Sequence, residues 1–208
     1  MNANLQKFLA ALGAVALSAG MAGCGSEMVR DSQSPARLII NSLEWRDQGT
    51  VLSDVLTMRR QPAPCTANSP CPTILNDTAV VNLSLLLRDP GVPGSPSSPS
   101  GLNQITVNRY RVKYRRADNH NIPGVDVPYD FDSALTVTVP PTGIAEVAFE
   151  IVRHSAKEES PLAALRYTDD IISTIAEVTF YGRDQVGNEV SASANIGINF
   201  GDFADVAN

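Results

Sequence analysis

The chain has 208 residues, of which 43 % are hydrophobic and 18 % charged, and its formal net charge is −6. It is too apolar for intrinsic disorder, and too acidic for a nucleic-acid binder, which needs a basic excess. Two histidines and three cysteines leave little material for a zinc site or a histidine-based catalyst, so neither metal nor cofactor is expected.

Residues 1–23 read as a secretory signal peptide. Lys7 is the only charge before Cys24, and from Phe8 to Ala22 the chain is apolar or small throughout (FLAALGAVALSAGMA). That run of 15 residues falls short of the roughly 20 that span a bilayer as a permanent helix. It ends in Met21-Ala22-Gly23-Cys24, which resembles the bacterial lipobox, with Met21 where leucine is commonest. The resemblance implies cleavage before Cys24 and a diacylglycerol on its thiol. An ordinary signal peptide cut after Ala22 or Gly23, with Cys24 incidental, is the plainer alternative.

Residues 24–36 then read as the lipidated cysteine and a flexible tether, polar and unpatterned after Cys24 (GSEMVRDSQSPA). Two or three acyl chains hold a protein on a membrane where a single chain does so only marginally. Position 25 is Gly. By resemblance to lipoproteins of enteric bacteria, the lack of Asp there points to the outer rather than the inner membrane. Removing residues 1–23 takes away Lys7 and no acid, which leaves 15 basic and 22 acidic residues, formally −7. Such a body is repelled by anionic headgroups, so lipid and tether do the holding.

From Arg37 onward the dominant period is two, and residues 37–45 and 50–58 are the first strand candidates. Cys65 and Cys71 follow in a proline-rich loop over 59–77; an even pair in an exported chain reads as a disulfide. Closing so short a loop contributes roughly 2 kcal/mol on the chain-entropy model. Val81, Leu83, Leu85 and Leu87 then share one parity, ahead of a proline-, serine- and glycine-rich loop over 89–101.

The strand candidate 102–116 is basic on one side. Arg109, Arg111, Lys113 and Arg115 share one parity, with Tyr110, Val112 and Tyr114 on the other. Four cations on a solvent face could grip an anionic glycan, lipid headgroup or acidic partner. A cross-strand ladder against outward acids, with Glu146 and Glu150 as candidates, is the reading we prefer. The crossover 117–133 offers Asp118, Asn121, Asp126, Asp130 and Asp132 as oxygen ligands for Ca²⁺. Their spacing matches no EF-hand, and solvated loop acids explain them as well.

Alternation resumes at Leu135, Val137 and Val139, and again at Val147, Phe149 and Ile151. His154 and Ser155 are sequence neighbours, a poor geometry for a base that activates a serine. Ser160-Pro161-Leu-Ala-Ala-Leu165 is the only helix signal, with Ser160 as cap and Pro161 in the first helical position. Ile172, Ala176, Val178 and Phe180, then Val190 through Phe200 on even positions, supply the last two strands.

Eight such strands predict an all-β fold, an antiparallel β-sandwich over residues 37–203 with long loops and at most one short helix. Residues 204–208 are read as a disordered tail. Between the last two strands lies Asp184-Gln-Val-Gly-Asn188, where Asp184 and Asn188 can bond local backbone and Gly187 can supply a positive φ. The stretch 176–195 resembles the closing hairpin of bacterial immunoglobulin-like and fibronectin-III-like domains, which implies an immunoglobulin-like sandwich.

No nucleophile elbow, phosphate loop or metalloprotease motif occurs in the chain, so no enzyme is expected. Two functions stay open for an exported protein held to the membrane by its lipid. One is a structural or accessory component of the cell envelope. The other is a surface-presented binding or adhesion module for a glycan or protein partner.

Overall fold

The alternating segments become strands. A computed structural model describes residues 33–45 and 52–204; the signal peptide, Cys24 and the tether to residue 32 lie outside the described residues. So do residues 46–51 and 205–208, and with them the start of the 50–58 candidate and nearly all of the tail. In chain order the strands are β1 (Ala36–Trp45), β2 (Leu52–Asp54), β3 (Thr57–Arg59), β4 (Cys71–Thr73), β5 (Asp77–Leu87) and β6 (Gly91–Val92). They continue as β7 (Ser95–Pro96), β8 (Ile105–Arg115), β9 (Phe131–Val139), β10 (Ala145–Val152), β11 (Ile172–Asp184) and β12 (Glu189–Gly201).

One layer is β1-β5-β10 and the other β2-β12-β11-β8-β9, with β3-β4 and β6-β7 as small hairpins. All the long strands pair antiparallel, and the molecule is a β-sandwich of immunoglobulin-like strand order. The one parallel ladder is three residues of β2 laid along Asn199–Gly201 at the end of β12. It covers an edge of β12 that would otherwise be open to pairing with another chain.

Burial follows parity. Leu83, Phe149, Ile151, Val178, Phe180 and Ile198 are buried; Leu85, Val137, Val147 and Ile196 are half-buried. Thr136, Thr138, Glu146 and Asn195 face solvent, whereas Glu150 is half-buried. In β8 the parity switches midway, because Ile105 and Val107 are buried along with Tyr110, Val112 and Tyr114. A bulge is the cause. Against β11, Asn108 is an extra residue between Val107 and Arg109, and an extra residue turns the remainder of a strand over. Gly182 is its counterpart on β11: a Cβ there would lie 2.7 Å from the Thr106 carbonyl oxygen.

The helical segment differs from the expectation. The α-helix, α1 (His154–Glu158), precedes the Ser-Pro signal, and Leu162–Leu165 is a 3₁₀ turn whose cap position is Pro161, with no side-chain cap. No helix among the described residues is long and apolar enough to cross a membrane.

Aromatic rings fill the middle of the sandwich. Tyr110 and Phe149 pack edge-on at 5.0 Å between centroids, Phe149 and Phe180 at 5.2 Å. The phenols of β8 reach the other layer, where Tyr110 donates to the Glu150 carbonyl at 3.0 Å and Tyr114 to the Ile151 carbonyl at 2.6 Å. Ile151 is itself the extra residue of a bulge in β10, between Glu150 and Val152 in the ladder to β5. Burial pushes the Tyr114 phenol well above its ordinary value of 10.0. A phenol whose value is raised on folding contributes stability that is whole below the ordinary value and is lost as pH climbs through the raised one. We expect Tyr114→Phe to cost about 1–3 kcal/mol near neutral pH, since the Ile151 carbonyl loses this donor. Urea titrations should show that deficit shrinking above about pH 10, and a constant deficit would exclude Tyr114 as the titrating group.

Candidate functional site

β8 is an inner strand of the five-stranded sheet, flanked by β9 and β11. Below the bulge its cations point outward in a row, all of them exposed. Arg109 pairs with Asp132 at 3.3 Å, Arg111 with Asp130 at 3.2 Å, and Arg115 with Glu177 at 3.1 Å. Lys113 stands opposite Glu177 in the register and makes no ion pair among the described residues. Arg109 also lies over the Tyr181 ring, 4.1 Å from its centroid.

The ladder therefore exists with different acids. Glu146 and Glu150 are on β10, which pairs with β5 in the opposite layer, and Glu150 accepts from the Asn76 side chain instead. Exposed pairs of this kind contribute about 0.2–1 kcal/mol each. Beside the row, Arg109, Tyr181, Arg183 and Glu189 line an open groove of about 290 Å³, with Arg183 and Glu189 paired at 2.8 Å. On one groove a guanidinium can donate hydrogen bonds to, a carboxylate accept them from, and a phenol ring stack on, a sugar or a short polar peptide.

The acids of the 117–133 crossover do not converge. Asp118 pairs with Arg116, whose hydrogen bonds lower its carboxyl from 3.8 to about 2. Asp126 accepts from the Ile122 amide at 2.9 Å, and Asp130 and Asp132 are bound to the arginines of β8. Among the described residues no three of His, Cys, Asp and Glu are grouped to hold a metal ion. His154 turns its ring to Asn76, with Nδ1 at 3.0 Å from Oδ1, away from any partnership with Ser155.

Cys65 and Cys71 form a disulfide with Cα atoms 5.3 Å apart. It closes the loop between β3 and β4, where Arg59 pairs with Cys71 in the hairpin register. Cys24 lies outside the described residues.

One constellation has no counterpart in the alternating pattern. Lys157 on α1 is 1 % exposed. Its ammonium donates to the Asp54 carbonyl at 2.7 Å and to Asp77 Oδ1 at 3.0 Å. The Ser53 hydroxyl donates to Asp77 Oδ2, and Asp54 accepts from the Thr57 hydroxyl at 3.0 Å and the Phe203 amide at 3.3 Å. The cluster thus joins β2, β5 and α1. Burial raises the Asp77 carboxyl above its ordinary 3.8, while Lys157 and Ser53 pull it partly back. An ammonium so enclosed is out of reach of a dissolved substrate, and the arrangement works as a clamp. Nothing in the spacing of HSAKEESP marks Lys157 out, since its burial depends on the distant residues Ser53, Asp54 and Asp77.

The closing hairpin behaves as its residues predict. Asp184 Oδ1 accepts from the Val186 amide at 3.0 Å and the Asn188 amide at 2.8 Å, and Gly187 has φ +94°. Compared with protein family models, with curated proteins and with solved structures, the chain matches none.

Removing one partner of a buried pair leaves an uncompensated charge, which costs about 3–5 kcal/mol. Asp77→Ala should therefore lower the unfolding free energy in urea by about that much, and more than Lys157→Met, because Lys157 is the more deeply buried partner. The double variant should cost less than the two single changes added together; strict additivity would mean that the pair is not coupled.

Proposed function

We propose that the chain is an exported lipoprotein of the bacterial cell envelope, held to the membrane by acyl chains on Cys24 and serving there as a non-catalytic structural or accessory component. The observation that carries this reading is the run FLAALGAVALSAGMA ending in Met21-Ala22-Gly23-Cys24. The Gly at position 25 favours the outer membrane. The Cys65–Cys71 disulfide agrees with export to an oxidising compartment. Pairing of Arg109, Arg111 and Arg115 with Asp132, Asp130 and Glu177 supports the accessory role over that of a receptor, because the acids of the sheet already neutralise most of the row.

A second reading, a binding or adhesion module for a glycan or protein, draws on Lys113 and on the groove beside Tyr181. Neutralising Arg109, Arg111 and Lys113 together separates the two. A salt-sensitive association with an acidic polysaccharide, lost in that variant while folding is kept, would favour the receptor.

The anchor is tested by growing a bacterial host with labelled palmitate. Wild-type chain should take up label and Cys24→Ala should not; equal incorporation in the two would reject Cys24 as the acylated residue.

A further inference from the structure

The two ends of the sandwich differ in kind. Ala36 pairs with Leu87, and the Pro35 carbonyl accepts from the Arg88 amide at 2.9 Å, so the chain enters the sandwich beside the loop that leaves β5. At the same end lie the connections 88–104, 140–144 and 185–188, because Ile105 pairs with both Val139 and Asp184. The Gln185 side chain reaches the Gln104 carbonyl at 3.5 Å, tying two of these loops together. Apart from Arg88 and Asp89 where the first leaves β5, these connections carry no charge over 90–104, 140–144 and 185–188. Their outermost side chains are apolar: Val92 is 64 % exposed, Leu102 78 %, Ile144 61 % and Val186 82 %.

The opposite end also exposes apolar side chains, Ile122, Val125, Tyr129, Tyr167 and Ile171, but sets them among charges. Its connections 116–130 and 153–171 hold four and seven Asp, Glu, Lys or Arg side chains. Apolar residues on the tips of three separate loops, with no charge between them, have no account in the core. Their setting matches the interfacial zone of a bilayer, where apolar side chains gain by leaving water and charged ones lose.

We propose that this uncharged loop end rests against the bilayer that holds the anchor, with Val92, Leu102, Ile144 and Val186 entering the headgroup region. The inference rests on acylation of Cys24. Ten residues lie between Cys24 and Pro35, and fully extended these eleven residue steps reach at most about 40 Å. An 11-residue strand such as β5 is itself about 36 Å long. The tether therefore attaches at the loop end and keeps it near the membrane, and an upright inverted body would need the tether almost fully extended. Arg37 and Arg88 line a second groove together with Glu189, and guanidinium groups near a bilayer surface can meet lipid phosphates.

The test uses the full chain, acylated in a bacterial host and reconstituted into phosphatidylethanolamine–phosphatidylglycerol vesicles that contain a headgroup-nitroxide lipid. With Cys24 acylated and Cys65 bonded to Cys71, one introduced cysteine is the single free thiol for a fluorophore. Leu102→Cys, Ile144→Cys and Val186→Cys report the loop end, and Val125→Cys, 63 % exposed on the opposite end, is the control. We expect quenching at the three tips to exceed that at position 125 by at least about twofold. Equal quenching in chains that are captured by vesicles overturns the proposal and leaves the anchor standing. A chain that no vesicle captures overturns the anchor and the proposal together. Photo-crosslinking from position 186 in whole envelopes that yields protein and no lipid would replace the bilayer by a protein partner.

Discussion

Everything in this sandwich turns on β8 having two unlike faces. Inward, Tyr110 and Tyr114 have to find acceptors, because a phenol taken out of water without one is costly. They find them in the opposite layer, at Glu150 and Ile151, and Ile151 is the residue that the β10 bulge leaves out of the ladder with β5. β10 is an edge strand with β5 as its one ladder partner, and the bulge takes Ile151 out of that ladder as well. Hydrogen bonds to Glu150 and Ile151 thus join apolar contact in fixing the distance between layers. Outward, the same alternation lines up Arg109, Arg111, Lys113 and Arg115, and a row of like charges is tolerable only where flanking strands bring acids. Strands β9 and β11, with Asp130 immediately before β9, meet that demand.

What the sequence disclosed and what it withheld divide along a physical line. Properties set by near neighbours could be read directly: strand alternation, the Asp184–Asn188 turn with Gly187 at positive φ, and the pairing of Cys65 with Cys71. Properties set by distant neighbours could not. The outward parity of Arg109 is local, but the identity of its partner depends on which strand lies alongside, and so Glu146 and Glu150 were plausible while Asp130, Asp132 and Glu177 were the acids found. The bulge at Asn108 falls between, since a period-two reading carries straight through it and would bury the same parity on both sides. Helix 154–158 lacks both a capping side chain and an apolar repeat. What holds it is the ammonium of Lys157, clamped by Asp54 and Asp77.

That clamp shows how an otherwise expensive group is accommodated. A lysine in a β-sandwich interior is tolerated only if its charge is well compensated, and three oxygens, the Asp54 carbonyl and both carboxylate oxygens of Asp77, lie within 3.0 Å of its nitrogen. The elements that supply them are the ones least able to hold themselves. β2 has three residues and α1 has five, lengths at which neither hydrogen-bond ladder is self-sufficient. A point charge reaching both is a compact means of docking short pieces onto a sheet, and it does so at the charged end of the molecule.

The charge difference between the ends follows from antiparallel topology. Consecutive long strands run in opposite directions, so consecutive loops fall at alternate ends of the sandwich. Beyond β5 the loops read uncharged at 90–104, charged at 116–130, uncharged at 140–144, charged at 153–171 and uncharged at 185–188. Because the alternation in charge keeps step with the alternation in direction, it sorts into two poles once the strands are stacked. If the proposed lipid tether holds, a chain that enters at the less charged pole has its orientation favoured twice over, by the position of the tether and by the greater cost of bringing the charged pole to a bilayer. The charged pole carries α1, the clamp and the Asp118 crossover, and its exposed apolar side chains Ile122, Val125 and Tyr167 stand among charges.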